Sequence, residues 1–329
     1  MIVYVKEQGA CLRKRGSRIL IEKEDQILRE IPLKDTAAVA LFGNVQVTTQ
    51  AMAVLLDSGI PLSLFSRHGR LRGRLVPDDP RDAGLLLAQF QASTNPTFCL
   101  DSARGLVAAK LWNSAAVILE FHSNHPAASL EGDAAALKAA AQSALDSTTT
   151  AEAMGHEGAG AALYFRAFSS MNLSGLPFPG RRKHPATDPL NALLSLAYTL
   201  ATNEIHSLLS ALGLAPEFGF LHSPDRTRPS LALDLVEPFR GPLCDRLVLR
   251  LVNTRVLRPE HFGARPAGAG VILLPDAFAA FLAAYEEAVE SPRACAPNGL
   301  RRVFEEQVAA FASWIRGGPP FLPWIEKDS

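Results

Sequence analysis

The sequence predicts an α+β protein, in which a small N-terminal antiparallel β domain is followed by a large all-α domain. Residues 2–75 are short β-branched and aliphatic runs interrupted by glycines and charged pairs, a pattern typical of hairpins. Beyond the Pro- and Asp-rich stretch VPDDPRD (76–82), apolar residues recur with helical spacing in Ala- and Leu-rich segments. We therefore predict a β domain at 1–76, a linker at 77–82 and a helical domain at 83–329.

In the β domain, each predicted strand is an apolar run that ends at turn-forming residues. IVYV is the first strand, and hairpins follow with breaks at Gly16 and around Glu24 and Asp25. AAVALFG is another strand, and TTQAMAVLLDSG (48–59) predicts a short helix because a threonine cap opens it and a glycine closes it. IPLSLFS and GRLRGRLV complete the domain as two strands around a basic turn.

In the second domain, periodicity predicts helices separated by loops rich in proline and glycine. The predicted helical segments are 83–93, 98–122, 131–145, 149–170, 187–213, 230–257, 275–290 and 299–316. Glu204 and His206, within the fifth segment, are expected on its surface.

Composition limits the classes of protein to consider. Lys plus Arg equals Asp plus Glu at 33 each, so the net charge gives no sign of a nucleic-acid partner. Residues 1–76 nevertheless carry 12 basic and 7 acidic side chains, which leaves that part at +5. The four cysteines form no CxxC pair, which excludes a cysteine metal site of the usual spacing and fits a reducing compartment. With neither a signal peptide nor a membrane span in the pattern, we expect a cytoplasmic protein.

Three short polar motifs stand out in the apolar helical half: GHEG (155–158), FLH (220–222) and DLVEPFR (234–240). Carboxylates among apolar neighbours need a cation or hydrogen-bonding partners. Glu157, Glu237 and His222 form a plausible ligand set for Mg²⁺ or Mn²⁺. Asp234, three residues before Glu237, would lie on the same helix face and support the site as a second carboxylate.

Each motif also has an ordinary structural explanation. The glycines around Glu157 would suit close helix packing beside a solvated glutamate. A histidine that follows an apolar pair, as His222 does, is more often a hydrogen-bonded core residue than a ligand. Asp234 and Glu237 would fit a structural ion pair with Arg240. The residues by themselves leave both interpretations open.

A basic loop lies between the first two motifs. Arg181, Arg182 and Lys183 are consecutive, and such a loop near an acidic metal site suits a phosphodiester substrate, although a solvated charge run is the commoner case. Asn191, in the first turn of the next helix, is a candidate cap, packing residue or orienting donor. The sequence contains no P-loop, dinucleotide fingerprint or GxSxG elbow.

Taken together, the motifs resemble the CRISPR-associated Cas1 family, the spacer-acquisition endonuclease and integrase of antiviral defence. The resemblance rests on GHEGAGAALYF, GRRKHPATDPLNALL, GFLH and LALDLVEPFR in this order, and on LFGNVQVTTQAMAVLLDSG in the β domain. It implies that Glu157, His222 and Glu237 are metal ligands, that Asp234 supports them and that Asn191 has a supporting role. Arg181, Arg182, Lys183 and Arg240 would bind DNA. At Glu237 some members of the family have aspartate.

The resemblance further implies a homodimer, joined by the β domain, that assembles with the Cas2 protein. This complex would capture short duplex DNA (prespacers) and join its 3′-hydroxyl ends to the CRISPR repeat with Mg²⁺ or Mn²⁺. Two alternatives stay open: a stand-alone structure-selective metallonuclease acting on branched DNA in repair, and a catalytically dead DNA-binding scaffold.

Overall fold

The computed structural model describes residues 1–77, 82–182, 186–222, 228–265 and 270–326. The chain divides into two compact units, Met1–Pro80 and Arg81–Ser329, and the division falls inside the interval that we predict as a linker. The first unit is a small β region and the second is mostly helical, which confirms the predicted fold class.

In its described residues the first unit contains two four-stranded sheets, one α-helix and a 3-10 turn at Leu33–Asp35. Its elements are β1 (Ile2–Val5), β2 (Cys11–Arg15), β3 (Arg18–Lys23), β4 (Gln26–Pro32), β5 (Ala38–Phe42), β6 (Gln46–Val47), α1 (Thr49–Asp57), β7 (Leu62–Phe65) and β8 (Leu71–Leu75). The strand orders are β1-β5-β7-β8 and β4-β3-β2-β6. Alternate residues of the strands, such as Val3 and Val5, join Leu55 of α1 in one apolar core.

The sheets are mixed, which corrects our prediction of an antiparallel domain. β1 pairs with β5, β5 with β7, and β2 with β6 in parallel, whereas β2, β3 and β4 form antiparallel hairpins. Parallel neighbours need a crossover between them, and α1 supplies it between β5 and β7. The strand pattern in the sequence showed where strands lie but not which neighbour each one meets.

The second unit is built from nine further helices in its described residues. They are α2 (Ala83–Ser93), α3 (Pro96–Asn124), α4 (Ala128–Leu145), α5 (Thr150–Met171), α6 (Pro189–Ala211), α7 (Ser230–Val236), α8 (Arg246–Asn253), α9 (Pro275–Glu290) and α10 (Gly299–Ile315). A two-stranded ribbon, β9 (Phe262–Ala264) with β10 (Val271–Leu273), makes this unit less than all-α. None of the helices in the described parts of the chain is long and apolar enough to cross a membrane.

The segment 230–257, predicted as one helix, is interrupted in the middle. After α7, residues Glu237–Phe239 form a 3-10 turn and Arg240–Asp245 a π-helical stretch before α8 begins. Pro238 and Pro242 lack the amide hydrogens that a regular helix would use there. Glu237 therefore lies at a break in the helix rather than on the same regular face as Asp234.

The long helix α3 provides the framework for this turn. It packs against α4, α5 and the 237–245 segment. From α3, Asn113 Nδ2 donates to the Pro238 carbonyl at 2.7 Å and to the Trp324 carbonyl at 3.1 Å. The Trp324 indole stacks on Phe239 with ring centroids 5.2 Å apart. The turn that bears Glu237 is thus held between α3 and the segment that follows α10.

The contact between α3 and α5 depends on a glycine. A Cβ on Gly160 would lie 2.3 Å from Leu111 Cδ2, whereas one on Gly155 or Gly158 would meet nothing within 4 Å. Of the three glycines around Glu157, only Gly160 therefore serves the close helix packing that its neighbourhood suggested.

Replacing Gly160 with alanine is expected to lower the free energy of unfolding by about 1 kcal/mol, because overpacking costs more than the gain in helix propensity returns. Gly155→Ala is the matched control on the same helix and is expected to raise it by about 0.5–1 kcal/mol. Urea unfolding of both variants measures the difference. Equal stabilities would contradict the close contact.

Candidate functional site

The helical unit contains a cavity of about 750 Å³ that gathers most of the charged candidates from the sequence. Its walls come from α3, α5, α6, the loop after α5, the GFLH segment after α6 and the interrupted helix at 237–245. The titratable residues on these walls include Lys110, Glu157, Tyr164, Arg166, Arg181, Tyr198, His222, Glu237, Arg240 and Asp245. Residues far apart in the sequence therefore meet around one space.

Glu157 and Glu237 share one cation. The Lys110 ammonium on α3 donates a hydrogen bond to Glu157 Oε1 and lies 2.8 Å from Glu237 Oε2. On the other side, Arg240 Nη1 is 3.0 Å from Glu237 Oε1. Only 1% of the Glu237 side chain is exposed, so these two cations replace the solvent that would otherwise stabilise its charge.

The pKa values follow this arrangement. Burial alone would raise the pKa of Glu237, but the charges of Arg240 and Lys110 bring that pKa down to about 2. Burial alone would lower the pKa of Lys110, yet the Glu237 and Glu157 carboxylates raise it. Glu237 and Lys110 therefore each stabilise the charged form of the other.

One oxygen of this cluster is buried and faces the Lys110 ammonium. It is Glu237 Oε2, which pairs with that ammonium at 2.8 Å. A buried carboxylate oxygen of this kind is suited to a metal ion, as is the donor chemistry of Glu157 and His222 on the same walls. Among the residues that the structure describes, however, no three His, Cys, Asp or Glu side chains already form a cluster able to hold a metal. In this conformation Lys110 is the cation that the carboxylates share.

His222 is oriented by Asp234. Its Nδ1 is 2.6 Å from Asp234 Oδ1, and since a carboxylate only accepts, a proton lies on Nδ1; in the neutral imidazole Nε2 then keeps its lone pair. This hydrogen bond is the main cause that raises the pKa of His222. A carboxylate behind a histidine is the usual support of a metal-binding imidazole.

Asp234 also holds the backbone of the GFLH motif. Its carboxylate accepts from the amides of Phe220 at 2.6 Å, Leu221 at 3.0 Å and His222 at 3.1 Å. A Cβ on Gly219 would lie 2.7 Å from Asp234 Oδ2, so only glycine permits this close approach. Burial raises the pKa of Asp234, and the bonds from His222 and from the backbone oppose that rise.

The basic loop is tied to the cavity through Asn191. The Asn191 Oδ1 atom accepts from Arg181 Nη1 and from the Arg182 amide, each at 2.8 Å. Its Nδ2 donates to the Gly180 carbonyl and to Asp188, the cap of α6. Arg181 lines the cavity and Arg182 is exposed, while Lys183 lies outside the described residues.

A second group on the cavity wall was not singled out from the sequence. Tyr198 donates its hydroxyl to Asp245 Oδ1 at 2.6 Å, and the guanidiniums of Arg181 and Arg240 lie 5.1 and 4.9 Å from its ring centre. Burial raises the pKa of Asp245 to about 6, although the hydrogen bond from Tyr198 and the charges of Arg181 and Arg240 oppose the rise. This network fixes both arginines beside the carboxylates.

Lys110 was also missed, although the sequence contained a signal for it. It is the one charged residue in the apolar helical run LVAAKLW, and a lysine there needs a partner inside the protein. Conversely, Glu204 and His206, which we expected at the surface, are buried. Glu204 accepts from Tyr285 and Arg301, each at 2.8 Å, in an ion-pair network among α6, α9 and α10.

Comparison with known proteins identifies the family. The family model for CRISPR associated protein Cas1 matches residues 3–287. The chain belongs to the Cas1 family. The CRISPR-associated endonuclease Cas1 2 of Rhodospirillum rubrum is 35% identical to it, over 99% of this chain and 98% of that protein. The Cas4/Cas1 exonuclease–endonuclease fusion of Geobacter sulfurreducens is 34% identical over 98% of this chain, which spans 59% of the fusion's length.

Solved structures share the fold of this Cas1 family member. A Cas1 protein from Thermotoga maritima superposes with a TM-score of 0.84 at 25% identity and covers 99% of this chain and 100% of its own. The fold also recurs in a Cas6-RT-Cas1–Cas2 complex, with a TM-score of 0.85 at 21% identity over 99% of this chain and 36% of that one. A casposase bound to its integration product gives 0.84 at 20% identity, over 96% and 90%. The resemblance read from the motifs is confirmed.

The buried carboxyl group of Asp245 generates a test of the cavity's electrostatics. Its pKa of about 6 exceeds the ordinary 3.8, so between these pH values the folded state binds more protons than the unfolded state. Its contribution to stability therefore falls as pH rises through this window, by about 3 kcal/mol in total. Asp245→Asn removes this term and keeps an acceptor for Tyr198.

The stability of Asp245→Asn relative to the unmodified protein is expected to improve by up to about 3 kcal/mol between pH 4 and pH 7. Urea unfolding across that range measures it. Asp101→Asn, at a half-exposed carboxylate, controls for the loss of any acid. A difference that does not change with pH would contradict the burial of a carboxyl group whose pKa is raised.

Proposed function

We propose that this protein is a metal-dependent DNA endonuclease and integrase of CRISPR adaptation, which joins the 3′-hydroxyl ends of short duplex DNA to the CRISPR repeat. The observation that carries the proposal is the convergence of Glu157 and Glu237 on one cation, in a cavity that His222 also lines. Two carboxylates with an imidazole form a donor set for Mg²⁺ or Mn²⁺.

In this proposal Glu157, Glu237 and His222 hold the metal ion. When bound, the ion would polarise the phosphodiester and offset the negative charge that develops during the displacement. Asp234 keeps the proton of His222 on Nδ1, so Nε2 remains available as a ligand or for carrying a proton. The fixed backbone around Asp234 keeps this histidine in place without further reorganisation.

The basic residues on the cavity walls are the reason for proposing a phosphodiester substrate. Arg240 and Arg181 carry positive charge beside the carboxylates, and each has a buried Nε without a hydrogen-bond partner. Guanidinium groups suit phosphate oxygens because their donors form a planar fork. Exposed Arg182 would contact the DNA backbone outside the cavity. The sequence alone assigns Lys183 the same role.

We also propose a homodimer that works with Cas2 and duplex DNA. The fold recurs in a Cas6-RT-Cas1–Cas2 complex, which supports Cas2 as a partner. It also recurs in a casposase bound to its integration product, which supports DNA as a partner. In the β unit, the edge strand β4 exposes Ile27 and Leu28, at 49% and 47% of their surfaces. An exposed apolar edge strand is normally covered by a partner.

Glu157→Ala, His222→Ala and Glu237→Ala are each expected to abolish strand transfer, because each removes a metal ligand. Binding of duplex DNA is expected to persist, since phosphate contacts dominate it. Asp234→Asn is expected to retain partial activity because it keeps an acceptor for His222. Gel assays with Mn²⁺, alongside filter binding, separate chemistry from affinity. Full activity of Glu237→Ala in saturating Mn²⁺ would contradict the assignment.

The joining reaction itself is tested with the ends of the DNA. Given Mg²⁺ or Mn²⁺, Cas2 and a supercoiled plasmid that bears the repeat, duplexes with free 3′-hydroxyls are expected to become joined to the plasmid. A 3′-phosphate is expected to stop joining and leave binding nearly unchanged, because the attacking oxygen is lost. Equal joining of blocked and free ends would contradict the transesterification. A plasmid that is nicked but never joined would favour the stand-alone nuclease acting on branched DNA.

A further inference from the structure

Lys110 occupies a place that the proposed function does not explain. It projects from α3 into the cavity, with 15% of its side chain exposed, and its ammonium contacts both proposed metal-ligand carboxylates. Of these two carboxylates, the other cation of the cluster, Arg240, forms its ion pair in the described residues with Glu237. Two cations thus balance two carboxylates before any metal ion is added.

The two cations differ in how firmly they are held. The Arg240 guanidinium is fixed between Glu237 and the face of the Tyr198 ring. Lys110 makes its contacts in the described residues through a single ammonium at the end of a flexible four-carbon stem. Lys110 is therefore the cation that can leave the carboxylates without breaking other interactions.

An ammonium and a divalent ion cannot share the same oxygens, because like charges at such distances repel strongly in a cavity of low dielectric constant. From this geometry, and on the basis of the proposed metal site, we propose that Lys110 is a built-in counter-ion for the metal-free protein. It holds Glu157 and Glu237 together until a divalent cation displaces it.

Two consequences distinguish this role from that of a purely structural ion pair. Lys110 should stabilise the metal-free protein, since without it two largely buried carboxylates repel each other. It should also compete with the metal, so removing it should increase metal affinity. A purely structural lysine would position the ligands, and its loss would weaken metal binding or leave it unchanged. After displacement, the ammonium lies on the wall of the same cavity, where a substrate phosphate could receive it.

The test uses the full chain and Mn²⁺ as the probe. Lys110→Met removes the charge at similar length, and Lys110→Arg keeps it. Isothermal titration calorimetry gives the Mn²⁺ affinity, and thermal unfolding in EDTA and in Mn²⁺ gives the stability. For Lys110→Met we expect a lower Tm in EDTA, a larger rise in Tm with Mn²⁺ than in the unmodified protein, and Mn²⁺ binding at least about tenfold tighter. Lys110→Arg should stay close to the unmodified protein.

If Lys110→Met folds only with Mn²⁺, that dependence supports the proposal, and Lys110→Gln provides the affinity comparison. Unchanged or weaker Mn²⁺ binding in both neutral variants, with normal binding by the unmodified protein, would overturn the role of Lys110 and leave the metal site intact. Absence of Mn²⁺ binding in the unmodified protein and in both neutral variants would overturn the metal site and the inference together. The double variant Glu157→Gln/Glu237→Gln is the control for the location of the site. It is expected to lose the measured Mn²⁺ binding.

Discussion

The site depends on the compensation of buried carboxylate charge. Glu237 is almost fully excluded from solvent, and it is tolerated because Lys110 and Arg240 lie within 2.8 and 3.0 Å of its oxygens. Removing one partner of such a buried pair typically costs about 3–5 kcal/mol. The structure around the cavity can be understood as the means of bringing these cations, from different elements, to the carboxylates and keeping them there.

Helix α3 has the largest part in this. It supplies Lys110 to the carboxylates, and one turn later Asn113 holds the backbone of the turn that bears Glu237. Between them, Leu111 packs against Gly160 and so brings the α5 backbone, with Glu157, close to Lys110. The packing of α3 against α5 therefore sets the position of Glu157 relative to Lys110. A change in this packing would move the two charges relative to each other.

Asp234 organises the other side of the cavity. Both of its oxygens accept hydrogen bonds, from the GFLH backbone and from His222. Asp234 therefore supports the imidazole and is not itself free to act as a metal ligand. Arg181 and Arg240 are fixed in a similar way by Asn191 and Tyr198. A rigid set of donors and cations suits phosphoryl transfer, which relies mainly on positioning and electrostatic stabilisation.

The sequence by itself determined the two-part architecture, most helix positions and the three motifs, since hydrophobic period and turn residues are local properties. It also placed Glu157, His222, Glu237 and Asp234 as candidates, because a charge among apolar neighbours needs a partner wherever the chain folds. Only the tertiary structure showed which partner each one has. Lys110 and Asp245 meet side chains that their own segments do not indicate, and the parallel strand pairs join strands distant in sequence. Such pairings are fixed by long-range packing, which no local pattern encodes.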